Sequence, residues 1–376
     1  MALIIRRITS KTDKLKFVRF LWDIYGSDPN WVPPLEMDRT KLIDEKKNPF
    51  YQHADVAWFF AEEDGAIKGR IAAIVNHHHN SFHHDKAGFF GFFECISDVR
   101  VASALFDAAE EFLRSKGMTE VFGPENPSTN DEVGLLIDGF GMPPVLLMTY
   151  APPYYIDLIE QNGYSKAKDV YAWLLSTDTS RSEKLIRVSD AMQMRAGITI
   201  RSFNKKDFTN EVKRIKELYN AVWEKNWGFI PMTDAEFDFL AGDLKPVYDP
   251  DLIFFAEKNG ETIGFALSIP DINQAFHAGP RIPRGFMNLP IGVWNLFTKK
   301  KAIDTIRILT LGVAKEHRGR GIDAMFYRKT IEIAEKKGYK FGEASWILED
   351  NDMMNRTIEM MNGKKYKTYR IYGKAL

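Results

Sequence analysis

The eleven residues FFAEEDGAIKG, beginning at Phe59, return as FFAEKNGETIG, beginning at Phe254. Six positions are identical, and the offset is 195 residues. At the same offset IRR, from Ile5, meets IRS, from Ile200. Both longer segments read as strand, Gly-bearing hairpin turn, strand. Two matches at one offset point to a duplicated domain, and that restricts the folds open to this chain.

Each half runs in the same order. A short strand comes first (LIIRRI; ITIRSF), then a helix (DKLKFVRFLWDIY; EVKRIKELYNAVW), then the hairpin. A long strand follows (GFFGFFECI; TIRILTLGV), then a helix (VASALFDAAEEFLRSKG; IDAMFYRKTIEIAEKKG). A further strand, a last helix and a final strand (VYAWLL; KTYRIYG) close each half. Strands alternate with helices around an early hairpin. The expectation is an α/β (α+β) protein of two domains, each a mixed, mostly antiparallel sheet flanked by helices. The expected division is 1–176, a connector 177–197, and 198–376. HAGPRIPRGFMNLPIG interrupts the second half and reads as an inserted loop near a site or an interface.

A chain of 376 residues, 45% apolar, can bury two ordinary cores. Lys and Arg number 51, as do Asp and Glu. That balance argues against a general nucleic-acid binder. Cys95 is the only cysteine, which excludes an internal disulfide framework and a cysteine metal cage. Its apolar setting, GFFGFFECI, reads as a buried strand rather than a nucleophile. No stretch approaches the roughly 20 apolar residues of a membrane helix, and MALIIRRITSKTDK does not read as a signal peptide. The expectations are a soluble cytoplasmic protein with no membrane and no nucleic-acid partner. Oligomeric state is left open.

VAKEHRGRGIDA, Val313–Ala324, sets two glycines and three cations between a strand and a helix. Successive amides at a helix N-terminus carry partial positive charge and suit phosphate. A Walker loop is excluded, because no Lys follows Gly321. Gly319, Gly321 and Ala324 satisfy G-x-G-x-x-A, but AKEHR separates them from the strand and too little chain follows for a dinucleotide fold. What fits is a long strand ending in Val, a polar link, and R-G-x-G opening a helix. There glycine admits a pyrophosphate to the backbone, and Arg318 and Arg320 add charge-assisted bonds.

In these residues the chain resembles the GNAT superfamily of N-acyltransferases, whose motif runs V-x-P-x-x-R-G-x-G-x-G/A. Val313, Arg318, Gly319 and Gly321 agree; Lys315 and Asp323 depart. The resemblance implies a tandem GNAT protein with its motif in the C-terminal half only, since DVRVASALFD offers no glycine turn in the first. It implies acetyl-coenzyme A, or another acyl-coenzyme A, as donor. Leu311, Val313, Arg318, Gly319, Arg320, Gly321, Ile322, Asp323 and Asn351 would hold it. The Val313 amide would polarise the acyl carbonyl for direct attack by an amine. Seven residues beyond Asn351, where the family often has a Tyr acid, stands Ile358. Tyr366 and Tyr369 are the substitutes. Glu343, Glu349 and Asp350 are the candidate bases, with Glu349 first because it ends the apolar run ASWIL.

The acceptor is expected to be a small molecule or an aminoacyl group carrying an amine. Trp223, Trp227 and Phe229 are read as its pocket. Asn126, Asn130 and Glu132, in the turn-rich segment GPENPSTNDEVGLLIDGFG, are read as a polar pocket wall. Two other readings stand beside the enzyme: a non-catalytic acyl-coenzyme A sensor, and a transferase using aminoacyl-tRNA. NHHHNSFHHDK holds five of the eight histidines. Its irregular spacing reads as an exposed loop with no metal.

Overall fold

The computed structural model describes residues 2–180, 186–187, 190, 197–222 and 226–376. The first half carries β1 (Ile4–Ile8), α1 (Lys11–Arg19), α2 (Leu21–Tyr25), α3 (Glu36–Leu42), β2 (Ala54–Glu63), β3 (Ala66–Asn76), α4 (His77–His83) and β4 (Ala87–Cys95). It continues with α5 (Val99–Ser115), β5 (Glu120–Gly123), β6 (Leu135–Asp138), α6 (Tyr155–Gln161) and β7 (Ser165–Ser176). The second half carries β8 (Ile198–Ser202), α7 (Phe208–Val222), α8 (Asp234–Leu244), β9 (Ile253–Lys258), β10 (Glu261–Pro270), α9 (Asn273–Ala278) and α10 (Asn288–Thr298). It ends with β11 (Thr305–Val313), α11 (Ile322–Lys337), β12 (Phe341–Leu348), α12 (Asp352–Met360) and β13 (Lys364–Ala375).

The chain packs into two compact units. One comprises Met1–Val170, Ala275–Lys299 and Lys367–Leu376; the other comprises Tyr171–Gln274 and Lys300–Tyr366. Three segments therefore pack away from the half that encodes them. In the first unit the sheet runs β1-β2-β3-β4-β5-β13, with β6 also on β13. Of these pairs only β4·β5 is parallel. In the second it runs β12-β11-β10-β9-β8, and only β11·β12 is parallel.

The duplication extends to side chains. Both hairpins turn on two residues of positive φ, Asp64-Gly65 (55° and 76°) and Asn259-Gly260 (52° and 84°). Such a turn matches the twist of the strands it joins. Arg6 pairs with Glu62 at 2.7 Å, and Arg201 pairs with Glu257 at 2.6 Å. Each arginine also lies over a phenylalanine ring, Phe60 or Phe255.

The first core gathers Phe17, Trp58, Phe60, Phe89 and Phe92. In the second unit, Phe255, Phe265, Ile215 and Phe237 join one sheet face to α7 and α8. Val313, Ile322, Met325 and Phe326 join the other face to α11.

Three local expectations are corrected. The histidine segment is not an exposed loop: it forms α4, capped by the Asn76 side chain, with His79 buried. Burial drives the His79 ring down to about 4 and keeps it neutral. Among the described residues no group of His, Cys, Asp and Glu is arranged to hold a metal. The first helix breaks at Phe20 into α1 and α2. The insertion HAGPRIPRGFMNLPIG is partly helical, contributing to α9 and α10.

Candidate active site

The site is built where β11 and β12 part. Their ladder covers only Thr305–Ile308 against Phe341–Ala344. Both strands run on, to Val313 and Leu348, without a shared ladder. Each carries an irregularity near the parting. On β11 the partner of Leu267 is Thr310 and that of Ser268 is Ile308, so Leu309 is an extra residue. On β12 Trp346 has φ of 54°, rare for a bulky residue.

Ladder alternation fixes which way the β11 amides face. Ala314 N–H donates to Ile263 O at 2.8 Å. In an antiparallel pair, bonded and non-bonded residues alternate. Val313, opposite Gly264, and Leu311, opposite Ala266, are therefore non-bonded pairs with β10. Their N–H and C=O groups point away from β10, toward the parted edge. The Val313 N–H has no acceptor among the described residues. The Val313 carbonyl accepts from Arg318 Nε at 3.0 Å.

Beside this edge lies the N-terminus of α11. Gly319 and Gly321 have φ of 70° and 79°, the left-handed region that glycine enters at low cost. Gly321 is the N-cap and gives no side-chain cap. The first-turn amides of Ile322, Asp323 and Ala324 thus have no acceptor among the described residues, as expected of an uncapped start. Arg318 also donates to Val222 O at 2.5 Å. It ties the turn to β11 and α7, whereas Arg320 is exposed. Asp323 is half-buried; beside it and buried, the Tyr327 hydroxyl is pushed well above its usual range, burial being the larger cause.

The first unit has the same frame with each opening closed. Ala87 and Thr305 begin matching parallel ladders, and the step between them carries Cys95 onto Val313. Ile96 N–H bonds Lys68 O, so the Cys95 amide also faces away from its hairpin. There it donates to the Tyr155 hydroxyl at 2.9 Å. The α5 N-terminus is capped by the Asp98 side chain, which accepts from Arg100 N–H at 2.9 Å. The hydrogen bond from Arg100 holds that carboxyl below its usual range. Glu125 N–H bonds Phe90 O at 2.9 Å, and Asn126 Oδ1 accepts from Phe92 N–H at 2.5 Å. Those bonds close the β4 edge. Cys95 is fully buried and its thiol is pushed up to about 12, chiefly by burial, which leaves no nucleophile.

Several expected site residues lie together at the parted edge: Leu311, Val313, Gly319, Gly321, Ile322 and Asp323. Asn351 caps α12, accepting from Met354 N–H at 3.2 Å. Glu349 follows the end of β12. Arg307 faces Glu343 in the ladder, which ends at Ile308 and Ala344. Glu343 is fully buried, bonded through one oxygen to the Tyr366 hydroxyl. It sits at the root of the opening, not beside Val313. Tyr369 is fully buried on β13 against β6.

Trp223 lies outside the described residues. Trp227 is partly exposed, while Phe229 is buried against Tyr219. Asn126 Nδ2 bonds Glu132, which also pairs with Arg39 at 2.6 Å, all within the first unit. Asn130 lies half-buried in the same loop.

One residue escaped the sequence reading. Asn355 Nδ2 donates to Leu348 O at 3.0 Å and to Glu349 O at 3.4 Å, while its Oδ1 accepts from Trp173 Nε1 at 3.1 Å. It fixes the end of β12 that carries Glu349. The signal was its place on α12, one turn after the cap residue Asn351.

Comparison with known proteins places the chain in a family. Residues 212–358 match the model of the Acetyltransferase (GNAT) family. The chain is 36% identical over 368 residues to a bacterial ceramide synthase of Caulobacter vibrioides, covering 96% of this chain and 94% of that protein. It is 34% identical over 380 residues to protein YghO of Escherichia coli, covering 99% and 95%. A tandem GNAT protein from the clavulanic acid biosynthesis pathway aligns over 100% of this chain and 98% of its own, with TM-score 0.58 and 11% identity. A GCN5-related N-acetyltransferase from Sphaerobacter thermophilus aligns over 99% and 95%, with TM-score 0.52 and 14% identity. Those two structures speak for the fold alone. Fold and sequence define a class, the acyltransferases of the GNAT fold. The chain belongs to the acetyltransferase (GNAT) family.

Proposed function

We propose that the second unit transfers an acyl group from acyl-coenzyme A to the primary amine of a long-chain amino alcohol, forming an amide. The observation that carries this reading is the Val313 N–H, unpaired and turned to the parted edge, beside the uncapped start of α11. The donor's pyrophosphate would lie on the first-turn amides of α11, admitted by Gly319 and Gly321. Leu311 would bond the pantetheine arm. The amine nitrogen attacks the thioester carbonyl carbon as the carbon–sulfur bond breaks. Val313 N–H donates to the oxygen where negative charge develops. Coenzyme A departs as thiolate, which a thiol pKa of about 8.5 permits without an acid. The amine's proton goes to Glu349, with Asn355 holding that segment in place.

The acceptor class rests on the relative named a bacterial ceramide synthase, since a ceramide is an N-acylated long-chain amino alcohol. It also favours a fatty acyl donor over acetyl. A coenzyme A thioester donor implies a cytoplasmic reaction. The test incubates purified protein with sphinganine and either acetyl- or palmitoyl-coenzyme A, scoring amide by mass spectrometry and free thiol by colour. Amide from the long-chain donor, lost in Gly321→Glu, is expected. Gly321→Glu sets a charged side chain on a left-handed residue at the phosphate site. Thermal shift by either donor with no amide from any amine would instead favour the sensor reading.

A further inference from the structure

Helix α10 is amphipathic the wrong way round. Its buried residues are Asn288, Gly292 and Asn295. Asn288 accepts from Glu36 N–H at 2.8 Å and donates to Pro283 O at 2.9 Å and Pro34 O at 3.1 Å. Asn295 Nδ2 donates to Pro280 O at 2.8 Å. A Cβ on Gly292 would stand 2.3 Å from Leu35 Cδ2, so the helix sits close and cannot turn over. The inner stripe is small and polar because it bonds loop carbonyls.

The outer stripe is apolar. Phe286 is 90% exposed, Phe297 79% and Trp294 62%, with Leu289, Val293 and Met287 each near 40%. At about 100° per residue Leu289, Val293, Trp294 and Phe297 spread around the side opposite Asn288 and Asn295, and Phe286 and Met287 stand exposed in the turn that leads into the helix. Six large exposed apolar side chains within twelve residues exceed the scattered ones of an ordinary surface.

Charge says what covers this face. From Ile272 to Ile303 the sequence has no Asp or Glu but five cations, Arg281, Arg284, Lys299, Lys300 and Lys301. The whole chain balances at 51 against 51, so this segment stands out. The three lysines are exposed and have no ion pair among the described residues. An eleven-residue helix spans about 16 Å, too short to cross a bilayer of about 30 Å. No helix of the described residues is long and apolar enough to do so. Exposed aromatic and aliphatic side chains beside a run of lysines suit the interface of an anionic bilayer, where apolar burial and attraction to anionic headgroups add.

We infer that α10 and the Lys299–Lys301 run dock this protein on the surface of an anionic lipid bilayer, with Phe286, Trp294 and Phe297 entering the headgroup region. A lipid acceptor would be met at such a surface, but the docking stands without the acyl-transfer reading. The reading of no membrane partner considered only spanning helices.

The test is co-sedimentation of the full chain with vesicles of phosphatidylcholine, with and without phosphatidylglycerol, at low and high salt. Wild type is expected to pellet with the anionic vesicles and to be partly released by salt. Lys299→Gln, Lys300→Gln and Lys301→Gln together should weaken that binding on the order of a hundredfold at low salt, from roughly 1 kcal/mol per lysine near an anionic surface. Trp294→Glu with Phe297→Glu should abolish it, and Phe286→Glu should weaken it. All these side chains are exposed, so thermal midpoints should stay at the wild-type value and keep folding out of the comparison. Wild type that ignores both vesicles overturns the inference. So does a dimer, seen by sedimentation velocity, that Trp294→Glu with Phe297→Glu splits, because a second copy would then cover the face. Vesicle binding without amide formation would remove only the acyl-transfer reading. Amide formation by a protein that ignores vesicles would remove only the docking.

Discussion

At the scale of residues, the contrast between Val313 and Cys95 carries most of the functional argument. Both amides turn away from their hairpins by the same ladder alternation. One is taken by the Tyr155 hydroxyl; the other has no acceptor among the described residues. A proline at 313 is therefore a clean probe. It removes an N–H that supports no ladder bond, a place where strands tolerate proline, and the preceding Gly312 gives the ring room. Val313→Pro should lower kcat by about 10²–10³, the range for one oxyanion donor, with the apparent affinity for donor little changed. Glu349→Gln should lower kcat by about 10²–10⁴, also leaving donor binding in place. Steady-state kinetics with donor titration checks both. Unchanged kcat in the first variant removes the amide from the mechanism; in the second it removes Glu349.

At the scale of elements, one strand–turn–helix plan gives an open edge in one unit and a sealed edge in the other. The seal is the loop after β5, and its Glu125 is 2% exposed with no ion pair among the described residues. Burial, with Asp131 as the second cause, pushes its carboxyl up to about 8. A carboxyl raised on folding keeps its proton in the native state after the unfolded chain has lost it. Its contribution is whole below the ordinary carboxylate range and is lost as pH rises through about 8, at up to about 1.4 kcal/mol per pH unit. Melting midpoints taken from pH 5 to pH 9 should fall more steeply for wild type than for Glu125→Gln; parallel curves would mean that Glu125 ionises normally. Elements of this kind were unevenly legible in the sequence. The R-G-x-G turn announced the bare start of α11, because two glycines and no Ser, Thr or Asp stand at its cap. The missing glycine after β4 likewise announced a closed counterpart, and Asp98 supplies its cap. Nothing in either strand marks the parting of β11 and β12, since where a parallel ladder stops depends on packing beyond both. The histidine segment was misread because irregular histidine spacing hid the cap at Asn76. The outward apolar face of α10 was missed because PRIPRGFMNLPIG presents its glycines and prolines before its helical period.

At the scale of the molecule, a duplicated sequence has become two units that do not follow the duplication. The repeat survives in backbone and side chains, down to Arg6–Glu62 and Arg201–Glu257. Yet the first unit takes Ala275–Lys299 and Lys367–Leu376 from the second half, and the second takes Tyr171–Ser176 from β7. A repeat reports which segments share an origin; it is silent on which segments later share a core. The borrowed pieces are bonded into the first unit, not merely laid on it. β13 pairs with both β5 and β6. Trp22 Nε1 donates to Ile282 O at 3.0 Å, and Glu36 N–H is held by Asn288. A fragment cut at the repeat boundary, residues 1–176, leaves those partners empty: unpaired strand edges, buried amide groups without acceptors, and an uncovered core. Such losses exceed the marginal stability of a domain. The fragment should show no cooperative urea transition, while the full chain unfolds sigmoidally by far-ultraviolet circular dichroism. A sharp transition in the fragment at the full chain's midpoint would mean that each half folds on its own and that the exchange is ornamental to stability.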